Sequence, residues 1–254
     1  MRHTYPILEH DDTAVAHIEP SRLIKSVDIA PHCVVCFFAD VIRKVVTTHH
    51  ARVASIHTSE IGEHPVYEID VDGRRLAFFH PGVGAPLAAG MLEEVIADGC
   101  RKFVACGGAG VLVPGVAVGH GLGPGGAGGG ERTADHYLPP AREVEAHPLA
   151  VQAIERALQR DNVPFLKGKT WTTDAIYRET PKKIALRREE GCLTVEMEAA
   201  AFFAVAQFRG VQFGQILYGG DDLSSETWDS RHWNHHASAR EKLFWIAAEA
   251  CLNL

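Results

Sequence analysis

The segment Thr194-Val-Glu-Met-Glu-Ala-Ala-Ala-Phe-Phe203 sets two carboxylates, Glu196 and Glu198, on either side of Met197 at the head of a run that otherwise reads as core. The pattern changes at that point. Residues through Val195 suit a buried strand, whereas Glu198 to about Arg209 suits a buried helix, with Gly210 as its stop. Side chains two apart share a face in extended chain and diverge in a helix. A chain leaving a strand after Val195 can therefore aim Glu196 and Glu198 into one cleft, with Met197 on the other side of the peptide. The plainer alternative is that both acids complement the helix dipole, an effect of about 0.3–1 kcal/mol.

Working outward, short β-type runs alternate with helical patterns, which predicts an α/β layer fold. Cys33–Phe38 reads as a buried strand and Val41–His49 as the start of a helix or turn. Val66–Val71 and Arg75–Phe79, joined through Asp72-Gly73, read as a hairpin with a type I′ turn. An amphipathic helix over 84–98 closes at Gly99, and a strand over Lys102–Cys106 runs into a turn at Gly107-Gly108-Ala-Gly110. Further on come a helix over 148–160, a strand over 163–172 and a strand over 211–218 that stops at Gly219-Gly220-Asp221-Asp222. A last helix covers 237–252. The tract from Gly119 to Gly130 holds eight glycines without the Lys-Ser/Thr ending of a phosphate-binding P-loop, and is expected to be a flexible loop. No linker interrupts the alternation, so residues 1–254 are read as a single domain.

Composition narrows the function classes. With 46% hydrophobic and 22% charged residues the chain is globular in type, and a formal net charge of −7 disfavours nucleic acid as a partner. No apolar run is long enough to span a bilayer and no signal-peptide core opens the chain, so a cytoplasmic protein without a membrane partner is expected. Cysteines 33, 36, 100, 106, 192 and 251 lie in or beside apolar runs and read as reduced, buried thiols. The single Cys33-x-x-Cys36 has no second pair to complete a zinc site. His232, His235 and His236 cluster without a fixed carboxylate partner, and no metal or other cofactor is expected.

The strand ending Gln215-Ile-Leu-Tyr-Gly-Gly-Asp-Asp222 also delivers acids at a glycine turn, where open α/β sheets gather their ligand contacts. Two strand ends thus offer carboxylates. One carboxylate can accept hydrogen bonds from a vicinal diol such as a ribose, while another acid donates a proton to a leaving base.

Five stretches together resemble one family: Phe79-His-Pro-Gly-Val-Gly-Ala-Pro86 with its helix, the glycine-rich strand end at 103–110, Trp171-Thr-Thr-Asp-Ala-Ile-Tyr177, Val195-Glu-Met-Glu-Ala-Ala200 and Tyr218-Gly-Gly-Asp221. The chain looks like a member of the nucleoside phosphorylase superfamily, which includes uridine phosphorylase, purine nucleoside phosphorylase and methylthioadenosine nucleosidase. The resemblance implies a three-layer fold with a central mixed β-sheet flanked by helices, cleavage of an N-glycosidic bond, and assembly as a homo-oligomer, a dimer or a hexamer built from dimers. It places Glu198 on the ribose hydroxyls, Met197 against the sugar and Glu196 in the lining of the same site. Asp221, or the adjacent Asp222, becomes the acid that protonates the departing base. Tyr177 and Ile176 fall in the segment that covers the base, and His136 borders the site or packs. Thr180 and Lys182 fall where uracil would be read and do not reproduce that pattern, so a purine is expected.

At two places the chain departs from the family pattern. The turn Gly-Asp-Pro-x-Arg that binds phosphate after the first strand is here Phe37-Phe-Ala-Asp-Val41, and an Arg ahead of Gly-Thr on a later strand is matched by Ala105-Cys-Gly-Gly108. Inorganic phosphate as co-substrate would then rely on backbone N–H groups around Gly107 and Gly108. Phosphorolysis of a nucleoside is the leading expectation. A hydrolytic nucleosidase, with Asp40 near the nucleophile, and a non-catalytic nucleoside-binding paralogue are the alternatives.

Overall fold

Why two acids far apart in sequence meet is answered by one strand that changes partners. A computed structural model describes residues 2–116 and 121–254. In chain order its elements are α1 (Pro20–Leu23), β1 (His32–Cys36), α2 (Ala39–Thr48), β2 (Arg52–Ser59), β3 (Gly62–Val71), β4 (Arg74–Phe79), α3 (Ala85–Asp98), β5 (Lys102–Val111), β6 (Gly121–Gly128) and β7 (Glu143–Glu145). They continue with α4 (Pro148–Arg160), β8 (Phe165–Thr172), α5 (Pro181–Glu189), β9 (Cys192–Glu196), α6 (Ala199–Arg209), β10 (Gln212–Asp222) and α7 (Ala237–Leu252).

The strands form one mixed sheet in the order β10-β6-β8-β9-β5-β1-β4-β3-β2, and β10 pairs with β5 as well, so five strands close on themselves. β5 lies at the junction. Its first half is parallel to β1, from His32 opposite Lys102 to Cys36 opposite Cys106, while Gly110 and Val111 pair antiparallel with Val195 and Thr194 of β9. Along most of its length it also runs parallel to β10. Where β1 ends and β9 takes over, a gap opens between strand ends, and β9 and β10 both finish beside it.

Helices cover both faces. On one, α3 and α6 bury Leu92, Val95, Phe202 and Phe203 against Phe103 and Phe213 of the sheet. On the other, α2, α4 and α7 bury Val41, Ile154, Phe244 and Ile246 against Val34, Phe78 and Ile216. The sheet is thus sandwiched as the three-layer reading expects. α6 is buried along its alanines, whose small side chains let it lie close to the sheet. At its end Gly210 takes φ 66°, the left-handed conformation of a helix stop.

The hairpin forms as read, with Asp72 at φ 53° and Gly73 at φ 79° between β3 and β4. Three expectations are corrected. Residues 121–128 of the glycine tract, expected as a loop, are strand β6, parallel to β8 and antiparallel to β7; residues 119 and 120 lie outside the described residues. Hydrogen bonding on both sides offsets the entropy of ordering glycine, and the missing side chains are what the packing requires. A Cβ on Gly121 would stand 3.2 Å from Leu158, and one on Gly128 3.3 Å from the Cys192 sulfur. Secondly, Gly107–Gly110 is no turn: it continues β5, with Gly107 and Gly108 paired to Leu217 and Tyr218. Thirdly, β10 runs past its glycines to Asp222, with a register shift between Gly219 and Asp222. All six cysteines are buried free thiols. Among the described residues no helix is long and apolar enough to cross a membrane.

Candidate active site

A cavity of about 280 Å³ occupies the gap beside β5. Glu198 and Met197 enter it from the β9–α6 junction, Asp221 and Gln215 from β10, and Gly107 to Gly110 from β5. Phe37, Phe38, Val83, Ile176, Trp233 and Arg240 complete most of the wall. The two acid-bearing segments singled out in the sequence therefore do converge.

Glu196 and Glu198 are both buried, at 7% and 5% exposure, but they are held differently. Glu196 accepts from the Thr172 hydroxyl at 2.7 Å through Oε1, and from the backbone N–H groups of Glu198 at 2.8 Å and Ala199 at 2.7 Å through Oε2. It caps the first turn of α6, so although it borders the cavity both its oxygens are engaged within the protein. Glu198 accepts from the Gly84 N–H to Oε1 at 2.5 Å, the Met197 N–H also acts on its carboxylate, and the residue lines the cavity. Gly84 has φ 92°, a conformation that favours glycine, and caps α3. Burial pushes both carboxyls above the ordinary range, and the nearby Glu198 charge adds to the effect on Glu196.

Asp221 accepts from the Trp228 indole N–H at 2.7 Å through Oδ2. Close above it, burial and the Asp221 charge push Glu179 up to about 7. Asp222 points elsewhere. It is bound by Arg231 and accepts from the Ser224 N–H at 2.7 Å; against burial, these contacts hold its carboxyl below the usual range. Of the two adjacent acids, Asp221 is the one in the cavity wall. Gly110 makes room for it, since a Cβ there would stand 2.6 Å from Leu223, 3.0 Å from Val195 and 3.4 Å from Asp221 Oδ1.

Other expectations are met in part. Ile176 lines the cavity, but Tyr177 does not: it lies on a short turn with 95% of its surface exposed. Gly107 and Gly108 line the floor, yet as β-strand residues they form no amide nest. Asp40 is outside the cavity wall and pairs with Arg240 at 3.0 Å. His136 lines a separate cavity with Tyr137, Glu93 and Arg209. The His232 and His235 rings stack 5.9 Å apart, and among the described residues no cluster of His, Cys, Asp or Glu could hold a metal.

Two lining residues had no signal in the sequence reading. Arg240, from the first turn of α7, sets its guanidinium 4.7 Å over the Phe38 ring at the cavity edge. Gln215 sits within an apolar strand run and reads as an ordinary strand residue until the fold turns it towards the cavity.

A family model described as the phosphorylase superfamily matches residues 31–250. Guanosine phosphorylase from Halorubrum lacusprofundi is 30% identical over 158 residues, covering 61% of this chain and 64% of that protein, so the match spans less than two thirds of the relative. Among solved structures, uridine phosphorylase from Vibrio fischeri ES114 superposes with a TM-score of 0.76 at 19% identity, covering 93% of this chain and 98% of that one. Purine nucleoside phosphorylase from Toxoplasma gondii in complex with immucillin-H gives 0.77 at 18% identity, covering 94% and 98%. At those identities the likeness is one of fold.

Proposed function

The chain belongs to the phosphorylase superfamily, and from that premise we propose that it cleaves the N-glycosidic bond of a purine nucleoside by phosphorolysis, releasing free base and pentose-1-phosphate. The observation that carries this reading is the meeting of Glu198 and Asp221 in one cavity. The guanosine phosphorylase relative supports the choice of base class.

Each role follows from how a group is held. Glu198 is fixed by the Gly84 N–H and offers its carboxylate to the ribose hydroxyls, while Met197 packs against the sugar. As the C–N bond breaks, its electron pair leaves with the base and the sugar becomes oxocarbenium-like. The Glu198 carboxylate favours that positive charge. Asp221, oriented by Trp228, donates a proton to the departing base, and Ile176 and Trp233 supply apolar surface beside it. A phosphate oxygen then bonds to the anomeric carbon. Arg240 offers the positive charge that the family's turn would have supplied, exchanging its Asp40 partner for phosphate.

The test is incubation with purine and pyrimidine nucleosides, with and without phosphate. Phosphate-dependent release of sugar-1-phosphate from purine nucleosides is expected. Free ribose formed without phosphate would make the protein a hydrolase, and saturable binding without product would make it a non-catalytic binder.

A further inference from the structure

Gln215 is 1% exposed, and among the described residues its Oε1 has no hydrogen-bond partner. A buried polar atom left unpaired is destabilising, so its retention calls for a reason. Gln215 lines the active-site cavity, and its position on the sheet indicates which part of a substrate it meets. It pairs in register with Ala105 of β5, a methyl side chain, and Gly107 two residues further on has no side chain at all. Where a Gly107 Cβ would be, Phe37 already stands at 3.0 Å, so Phe37 closes the space that the small residues leave open. Asp221 is six residues further along β10, roughly 15–20 Å of extended chain. Along the strand the two side chains therefore reach the cavity at separate points.

We infer that Gln215 is a ligand of the attacking phosphate and selects hydrogen phosphate over oxyanions that carry no proton. The inference rests on the phosphorolytic reading above. Displacement at the anomeric carbon brings the nucleophile in opposite the leaving base, which puts it at the end away from Asp221. Hydrogen phosphate presents both anionic oxygens and one P–OH. A carboxamide matches that pair, its NH₂ donating to a P–O⁻ oxygen while its oxygen accepts from P–OH; half a turn of the amide chooses the orientation. Sulfate at neutral pH has no such proton and would leave the Gln215 oxygen unpaired.

The experiment compares wild type with Gln215→Leu and Gln215→Glu in phosphate-saturation kinetics and in calorimetric titration with inorganic phosphate, with sulfate as competitor. Leucine has a similar size and removes the orphaned atom, so a thermal midpoint at or above wild type in phosphate-free buffer checks folding. The expected result is a phosphate KM and Kd raised roughly ten- to a hundredfold in Gln215→Leu. The loss should be larger in Gln215→Glu, the nucleoside KM should stay within about twofold, and the preference for phosphate over sulfate should disappear in Gln215→Leu. Phosphate-dependent turnover with an unmoved phosphate KM, or a change confined to the nucleoside KM, overturns the role of Gln215 and leaves phosphorolysis standing. Wild-type turnover that ignores phosphate, or no calorimetric binding of phosphate to wild type, overturns both.

Discussion

Three carboxylates line one cavity and differ in how they are hydrogen-bonded. Glu198 accepts from the Gly84 N–H, and in the proposed role its carboxylate also holds the ribose hydroxyls. Glu198→Gln retains the first contact and weakens the second, so nucleoside affinity should fall roughly tenfold to a hundredfold, measured by titration with a nucleoside analogue. Asp221→Asn keeps the Trp228 contact but cannot give up a proton. Its kcat should drop by about 10²–10⁴-fold with little change in nucleoside KM. Glu196 is the structural member of the set. Glu196→Ala orphans two backbone N–H groups at the head of α6 and should destabilise by about 1–3 kcal/mol per lost partner, read from urea unfolding. Its pH behaviour has a defined sign. Burial raises the folded carboxyl, so the folded state binds more protons than the unfolded one above the ordinary value of 4.5, and stability is lost as pH rises from there through the folded value. Glu196→Gln removes that share, and its unfolding midpoint should fall less between pH 5 and pH 8 than that of wild type.

At the scale of elements, glycine decides where the active-site walls stand. Gly110→Ala would press a methyl into Leu223 at 2.6 Å and Val195 at 3.0 Å, displacing the β10 end that carries Asp221. The variant should lose activity more than tenfold while unfolding only slightly earlier, overpacking of this kind being destabilising by about 1–3 kcal/mol. Glycine is also where reading the sequence fell short. Strands and helices with side-chain periodicity, such as β3, β4, α3 and α7, were legible because alternation and caps leave a pattern. β6 leaves none, and the glycines at 107–110 and 219–220 signal a turn in isolation while forming strand under two-sided pairing. Glu196, Glu198 and Asp221 were legible as lining residues from their place at strand ends, whereas Met197, which strand alternation put on the other side of the peptide, shares the cavity with both glutamates and was expected there only through the family resemblance. Tyr177 was not legible, because successive side chains on the short 3₁₀ turn at 176–178 diverge, so that Ile176 lines the cavity while Tyr177 is exposed. Arg240 and Gln215 belong to the cavity only through tertiary contact.

For the molecule as a whole, β5 is the shared member of two subsheets and is hydrogen-bonded to β1, β9 and β10 in turn. Amides between Lys102 and Val111 should therefore open only with global unfolding, and native-state hydrogen exchange should rank them among the slowest in the chain. Fast exchange there would mean that the two subsheets separate independently. The active-site cavity sits where they join, so its geometry is fixed by the most strongly bonded part of the fold.

β6 has a consequence of another kind. A ribbon made largely of bare backbone offers its neighbours few knobs to index against, so its register, whose alternation a slip of two residues would preserve, rests on the few side chains it carries. Its non-glycine residues are Leu122, Pro124 and Ala127, of which Leu122 and Ala127 are buried and mark the correct frame. During assembly this strand is where misaligned isomers are expected to collect, and the buried Leu122 side chain opposes them, as a detent does.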